Sequence, residues 1–262
     1  MIKIENIEVS NFEGAFRGLR NPKNSWHLSD SKFGVESEEV IWGIADTMVE
    51  KYLKEGTVTH DKIETWLYNN GLNIALPHGK HCGTYAFIGP KDLNLAQKMI
   101  GAGSDESKFM RQIFVSMDIT APMFWWAEHD TYKVATVRDS CSKMHTIHVK
   151  PFEIDDFTHG GIDEVDYARE SLEHILEVCE KLRQDFNRTH EKRYWRALIE
   201  LLPEGFNMRA TWTGNYQNLR GQYFARRFHK VFEWRVYCEM IEQLPYGLDL
   251  ICYKKEEKNE SN

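Results

Sequence analysis

One long amphipathic stretch in the second half of the chain constrains the fold most. In EVDYARESLEHILEVCEKLRQDF, apolar residues recur every three or four positions, namely Tyr167, Leu172, Ile175, Leu176, Cys179 and Leu182. Charged residues fill the intervening positions. A helix with a single apolar stripe must bury that stripe against another element. The sequence therefore predicts a helix over about 163–188 in a chain that folds around a hydrophobic core.

Composition narrows the class of protein further. The chain has 262 residues, of which 42% are hydrophobic, and a net charge of −7, which disfavours DNA or an anionic membrane as the main partner. Its five cysteines form no CxxC pair, and its N-terminus lacks the apolar core of a signal peptide. We therefore expect a cytoplasmic protein with no disulfide framework. We expect one domain over 1–253, followed by a disordered charged tail at 254–262.

Local patterns predict an alternation of strands and helices. Strands are expected at MIKIENIEVSNF, KFMRQIFVSMDIT and NMRATWT, and a polar loop is expected at RGLRNPKNSWHLSDS. Helices are expected at 37–67, 89–103 and 191–201, and one or two more at 215–245. A further helix is expected to begin at Pro122 and to continue through SCSKMH.

The segment LPEGFNMRATWTGNYQNLRGQYFARR is the strongest candidate for a binding site. It sets basic and amide side chains among aromatic rings, namely Arg209, Asn215, Gln217, Arg220, Arg226 and Arg227. Guanidinium groups can hold a phosphate bidentately while rings stack a base. The alternative is a solvated basic face of a helix, which is the usual meaning of a run of charges.

This segment resembles the C-terminal motif of flavin-dependent thymidylate synthases. The spacing matches at Leu202, Pro203, Arg209, Trp212, Thr213, Asn215, Leu219 and Arg226. The resemblance implies that Arg209 and Arg226 bind deoxyuridylate and that Asn215 contacts the flavin. Gln217, at a position where the family usually has an arginine, is also expected in the cofactor site.

A second resemblance lies upstream, where TYKVATVRDSCSKM is similar to the family signature RHRxxSxNExSxRY. By this resemblance the flavin contacts are Tyr132, Lys133, Thr136 and Arg138. The substrate contacts are Asp139, Cys141 and Lys143, together with Glu128, which stands where the family has a glutamine. Lys143 and Arg226 are the expected catalytic residues. Arg111 and Ser107, in GAGSDESKFMRQ, correspond to a further flavin-contacting segment.

The resemblance implies a fold, a reaction and an assembly. The expected fold is α/β, with a mainly antiparallel sheet and a helical half, and with an insertion around 36–85. The expected reaction is C5 methylation of deoxyuridylate with FAD, NADPH and methylenetetrahydrofolate, in a homotetramer whose active site lies between subunits. The alternative is a pyrimidine-nucleotide-binding paralogue without flavin chemistry.

Several other polar groups have both a functional and a structural interpretation. HGKHC places His78, His81 and Cys82 close enough for a metal, although its glycines favour an ordinary turn. His129 and Asp130 could form a hydrogen-bonded pair, and His145 and His148 lie three residues apart. For each histidine the structural role is the expected one.

A cysteine, an apolar segment and a basic loop also have both a functional and a structural interpretation. Cys141 could be a nucleophile, but we expect a buried core cysteine. Met123, Phe124 and Trp126 in APMFWW are expected to pack in the core. RGLRNPKNSW is either a phosphate-facing loop that uses Arg17 and Arg20 or a helix-capping turn. The chain has no GxGxxG and no GxxxxGK[ST], so neither a Rossmann nor a P-loop site is expected.

Overall fold

A computed structural model describes residues 2–37 and 82–255 of the chain. The strands are β1 (Lys3–Ser10), β2 (Lys32–Ser37), β3 (Cys82–Phe87), β4 (Phe114–Pro122), β5 (Val137–Ser140) and β6 (Asn207–Asn215). The helices are α1 (Phe12–Arg20), α2 (Pro90–Ala102), α3 (Met123–His129), α4 (Lys143–Thr146), α5 (Asp166–Thr189), α6 (Lys192–Leu201), α7 (Tyr216–Arg226) and α8 (Phe232–Gln243). None of these helices is long and apolar enough to span a membrane.

These residues form two compact units. The first contains residues 2–7, Ser116–Thr213 and His229–Tyr237. The second contains 8–37, 82–115, Gly214–Phe228 and 238–255. The helix expected at 37–67 and most of the expected insertion at 36–85 lie outside the described residues, as does nearly all of the expected tail.

A four-stranded sheet organises the first unit, with the strand order β1-β4-β6-β5. In β4 the side chains of Val115, Met117 and Ile119 are buried, while Ser116 and Asp118 between them are partly exposed. This alternation follows from the two-residue period of a strand and gives the sheet one apolar and one polar face. Strands β5 and β6 pair antiparallel, as do β2 and β3 in a separate two-stranded sheet.

The helices α5 and α6 supply the apolar core beside this sheet. Leu198 on α6 and Cys179 on α5 are fully buried, in a cluster completed by Ile147, Phe157 and Leu202. The predicted stripe on α5 is confirmed at Leu172 and Cys179. It is wrong at Tyr167, which lies in the first turn of α5 and is exposed.

Aromatic packing forms the core of the second unit. The ring of Phe12 lies 5.7 Å from Tyr216 and 5.8 Å from Tyr246, edge to face in both cases. The Tyr216 hydroxyl donates to the carbonyl oxygen of Pro245 at 2.5 Å, and the Tyr246 hydroxyl accepts from the Ile88 amide at 2.8 Å. Each buried hydroxyl thus has a partner.

The N-terminal loop prediction was partly wrong. Arg17–Arg20 form the last turn of α1. Arg20 is buried and its Nε donates to Asp92 Oδ1 at 2.6 Å, so this arginine is part of a buried ion pair and does not face a phosphate. Hydroxyl groups of Ser29 and Ser31 donate to the other oxygen of Asp92.

Two element boundaries also differ from the prediction. The helix from Pro122 ends at His129 instead of continuing through SCSKMH, because Ala135 has a left-handed backbone (φ 57°) and the residues after it pair with β6 as strand β5. The strand expected from Lys108 begins at Phe114, after a turn of 3-10 helix over Lys108–Gln112.

Candidate functional site

The polar face of the sheet brings together three residues that the sequence singled out. In the β5–β6 register Asp139 lies opposite Thr211, and the Cys141 amide donates to the Arg209 carbonyl oxygen at 3.0 Å. Because side chains alternate along each strand, Asp139, Cys141 and Arg209 share one face. The intervening residues Ala210 and Trp212 are buried on the other face.

Asp118 on β4 is the centre of a hydrogen-bond network on this face. Its Oδ2 accepts from Asn6 Nδ2 and from an Arg209 terminal nitrogen, both at 2.8 Å. Its Oδ1 accepts from the Thr211 hydroxyl at 2.6 Å. A second terminal nitrogen of Arg209 lies 3.6 Å from Glu5, and the Arg209 side chain is 52% exposed, so the guanidinium is anchored and still open to solvent.

The network holds Asp118 ionised. Hydrogen bonds from Thr211, Asn6 and Arg209, in that order, lower the pKa of the Asp118 carboxyl well below its usual range. The same pairing raises the pKa of Arg209.

Sequence reasoning missed Asp118 and Asn6. The alternation in FVSMDIT indicated a polar position at Asp118, but no motif pointed to its partners.

Arg138 lies on the opposite face from Asp139. Its register partner is the buried Trp212, and its guanidinium carbon lies 4.8 Å from the ring centroid of Trp126. It forms an ion pair with Asp130 at 2.9 Å. The ion pair of Asp130 is therefore with Arg138 and not with His129 as the sequence suggested. Partial burial raises the pKa of Asp130.

His129 is buried in a cluster of aromatic rings behind this face. Its ring stacks on Trp125 at 4.6 Å and on Trp234 at 5.9 Å. Burial, with a smaller effect from the charge of Arg138, lowers the pKa of His129 to about 3, so the imidazole is neutral near pH 7. The structural role expected of His129 fits this burial, although its Nε2 has no hydrogen-bond partner within the described parts of the chain.

Glu128 also faces this aromatic cluster. Its Oε2 accepts from the indole nitrogen of Trp234 at 2.5 Å, and its Oε1 lies 3.6 Å from His229 Nε2.

The expected packing of Trp126 is confirmed, since this side chain is buried. Met123 and Phe124 are only partly buried.

The other residues of TYKVATVRDSCSKM have mixed environments. The Thr136 hydroxyl donates to the backbone carbonyl of Tyr132 at 3.1 Å, whereas Lys133 is exposed. The Lys143 ammonium lies 3.1 Å from the sulfur of Met123. Cys141 is exposed, with its sulfur 3.6 Å from the Thr146 hydroxyl, so the expectation of a buried core cysteine was wrong. The strand β5 ends just before Cys141 and places it on the polar face.

In the second unit, Asn215 begins helix α7. Its side-chain oxygen accepts from the Asn218 amide at 3.0 Å, and Asn218 Oδ1 accepts from the Asn215 amide at 3.1 Å. This is a reciprocal capping box. Gln217 Oε1 accepts from the Ser107 hydroxyl at 3.2 Å, and Arg111 donates to the Ser104 carbonyl oxygen at 3.4 Å.

The basic residues of α7 have different environments. Arg220 donates to the carbonyl oxygens of Ile251 and Tyr253 at 2.7 and 2.6 Å, and thereby holds the C-terminal segment. Arg226, the last residue of α7, is half-buried. Arg227 follows the helix and lies among aromatic rings.

Metal binding at HGKHC is not tested by the structure. His78 and His81 lie outside the described residues, and the side chain of Cys82 is not described either. Across residues 2–37 and 82–255 there is no group of three or more histidine, cysteine, aspartate or glutamate side chains able to hold a metal ion.

Comparison with known proteins gives a fold relationship. No protein-family model and no curated protein sequence matches the chain. Solved structures do match, among them Thymidylate Synthase X (ThyX) from Helicobacter pylori with FAD and dUMP. The match has a TM-score of 0.59 and 12% sequence identity, and it covers 96% of this chain and 97% of the ThyX chain. A second structure of that enzyme, complexed with FAD and dUMP, has a TM-score of 0.57 and 12% identity over 94% and 97%. The expected α/β fold with antiparallel strand pairing is confirmed.

Proposed function

We propose that this protein binds a deoxyuridylate-like pyrimidine nucleotide and acts on it as a flavin-dependent thymidylate synthase-like enzyme. The observation that carries the proposal is the fold likeness over 96% of the chain to a protein whose solved structure holds FAD and dUMP. The placement of Arg209, Asp139 and Cys141 on one exposed sheet face adds support, because the resemblance assigned all three to substrate.

Arg209 is suited to hold an anionic or carbonyl oxygen of the nucleotide in this proposal. Asp118 fixes one terminal nitrogen of its guanidinium, and the group retains further donors for a ligand. A guanidinium held by a neighbouring carboxylate loses less rotational freedom when an anion binds. Asp139 on the same face can accept a hydrogen bond from a sugar hydroxyl, and Cys141 lies beside Arg209. Lys143 would contribute charge as a point cation.

Thermal shift with deoxyuridylate tests the binding. A ligand that binds only the folded state raises the unfolding temperature by mass action, so wild type should show a concentration-dependent increase. Arg209→Ala and Arg226→Ala should each reduce that increase. Arg196→Ala is the matched control, because Arg196 is an exposed arginine paired with Glu200 on α6. No increase for wild type, or equal increases in all variants, would exclude the proposed site.

The proposed reaction is C5 methylation with FAD, methylenetetrahydrofolate and NADPH. FAD would supply the redox chemistry, and the protein would supply positioning and hydrogen-bond donors. The residues assigned to flavin do not fit that role well in this structure. Thr136 and Arg138 bond within the first unit, and Asn215 and Gln217 bond within the second. The exposed members of the set are Lys133 and Arg111, and the Arg111 guanidinium donates to the Ser104 carbonyl oxygen at 3.4 Å. We therefore derive no catalytic step through FAD.

That mismatch favours a second candidate function, a pyrimidine-nucleotide-binding paralogue without flavin chemistry. Two measurements separate the candidates: the visible absorbance of the purified protein, and titration with FAD followed by flavin fluorescence. Bound or saturable FAD, together with deoxyuridylate-dependent NADPH oxidation, supports the enzyme. A colourless protein that binds deoxyuridylate but takes up no FAD supports the paralogue and rules out the proposed reaction.

A further inference from the structure

Arg227 holds a positive charge among three aromatic rings. Its guanidinium carbon lies 4.8 Å from the ring centroids of both Phe224 and Phe228, and 5.7 Å from that of Tyr223. The structure gives this side chain no ion-pair partner among the residues it describes, and its buried Nε has no hydrogen-bond partner there. The rings fix the guanidinium in place without neutralising it.

Other arginines near the proposed sites already have a protein partner. Arg209 pairs with Asp118, and Arg138 pairs with Asp130. Arg220 donates to two backbone carbonyl oxygens. A guanidinium normally satisfies its donors with carboxylate, phosphate or carbonyl oxygens. Arg227 therefore retains donors for an external anion.

Phe228 next to Arg227 is unusually exposed. Its side chain is 85% accessible, the largest value among the exposed large hydrophobic residues of the described chain. The guanidinium of Arg227 covers only part of this ring. A planar aromatic group can stack on the remaining surface, and stacking of a nucleobase on an aromatic side chain is favourable for any base.

We propose that Arg227 and Phe228 together recognise a pyrimidine nucleoside monophosphate, with the base stacked on Phe228 and the phosphate held by Arg227. The inference rests on the proposed nucleotide binding and deepens it by naming two residues that the resemblance did not assign. A single ligand that carries both a planar ring and an anion matches the two adjacent features, an open ring surface and a cation without a counter-ion among the described residues.

Calorimetric titration of the full chain with dUMP tests the pair. Phe228→Leu keeps an apolar side chain and removes the stacking surface, and Arg227→Gln keeps polarity and removes the charge. Each should weaken dUMP binding about tenfold. Phe232→Leu and Arg235→Gln are matched controls, because Arg235 lies 5.3 Å from the ring of Phe232, which is 49% exposed. These controls should bind dUMP as wild type does.

Two partial ligands separate the roles of the residues. Deoxyuridine has the base without phosphate, so its affinity should fall in Phe228→Leu and change little in Arg227→Gln. Ribose 5-phosphate has the phosphate without a base, so the reverse is expected. Urea unfolding of each variant checks that the chain is folded, and Phe228→Leu should leave the unfolding midpoint unchanged because the ring is exposed.

The possible results distinguish this inference from the proposed function. If wild type binds dUMP and both variants bind it equally well, Arg227 and Phe228 are not the recognition pair, although nucleotide binding stands. If wild type does not bind dUMP, both proposals fail. If light scattering shows that Phe228→Leu lowers the oligomer mass while dUMP affinity is unchanged, the ring packs against a second copy of the chain and the inference is overturned.

Discussion

At the residue scale, His129 and Asp118 respond to acid in different pH ranges. His129 is neutral in the folded protein because burial lowers its pKa to about 3, whereas an unfolded histidine titrates near about 6.5. As the pH falls from about 6.5 toward about 3, the unfolded state binds a proton that the folded state does not. The free energy of unfolding therefore decreases over this range. Asp118 has a lowered pKa, so its stabilising contribution is present above its unfolded pKa of about 3.9 and is lost below it.

We expect His129→Phe to flatten the loss of stability in weak acid. Phenylalanine preserves the stacking on Trp125 and cannot be protonated. Between about pH 6 and 4, wild type should lose about 1 kcal/mol more per pH unit than the variant, measured by urea unfolding. Asp118→Asn is the control, because it should change the pH dependence of the unfolding free energy only below about pH 4. Above that pH its unfolding free energy should vary with pH in parallel with that of wild type. Parallel curves for His129→Phe and wild type would show that folding does not lower the pKa of His129.

Some site residues were predictable one by one, but their partners were not. Arg209, Asp139 and Cys141 were identified from the motif resemblance, and the structure places them on one sheet face. Asp118 and Asn6 were missed because Asp118 meets Arg209, and Asn6 meets Asp118, only through the strand order β1-β4-β6. Residues so distant in sequence leave no local signal of that contact.

At the element scale, the start of α7 explains the environment of Asn215. The capping box between Asn215 and Asn218 satisfies backbone amides that the first turn of a helix leaves unpaired. This structural role accounts for an asparagine at the position that the resemblance assigned to flavin. The two roles predict different responses to substitution.

Asn215→Ala should destabilise the protein by about 1 kcal/mol, because alanine removes the cap acceptor. Asn215→Asp should retain stability, since aspartate caps a helix equally well. The free energy of urea unfolding near pH 7 gives both values. If alanine is tolerated and only nucleotide or flavin binding changes, the main role of the Asn215 side chain is ligand contact.

Periodicity predicted isolated helices better than it predicted β5. The long helix α5 was identified to within a few residues because its apolar stripe continues over many turns. TYKV was wrongly assigned to a helix, since its few residues carry no clear period. After this segment, the β-branched Val137 favours an extended backbone and begins β5, which pairs with β6.

At the scale of the whole molecule, the fold was predictable from motif order, although sequence identity to the ThyX structures is only 12%. The predicted single domain over 1–253 and the predicted homotetramer remain proposals. Two exposed valines in the first unit are candidates for a contact in the proposed assembly. Val134 and Val137 are both highly exposed, and Val137 lies at the edge of the polar sheet face, opposite Thr213.

We expect light scattering to give about four times the chain mass. Val137→Glu should lower that mass, because a carboxylate in an apolar interface is costly to bury. Val149→Glu is the matched control: Val149 is 68% exposed and Val137 is 69% exposed. A wild-type mass equal to one chain would contradict the tetramer. Equal dissociation in the two variants would show that the surface around Val137 has no special role.

The aromatic cluster around His129 also determines how the protein can be observed. Trp125, Trp126, Trp212 and Trp234 are all at most 1% exposed. The ring centroid of Trp125 lies 5.0 Å from Trp126 and 4.9 Å from Trp234, while Trp212 joins the group through His129 at 5.7 Å. Indoles as close as those of Trp125, Trp126 and Trp234 exchange excitation energy, so their emission is coupled. Unfolding of the first unit would expose all four buried indoles to water, and intrinsic fluorescence therefore reports on the integrity of this unit.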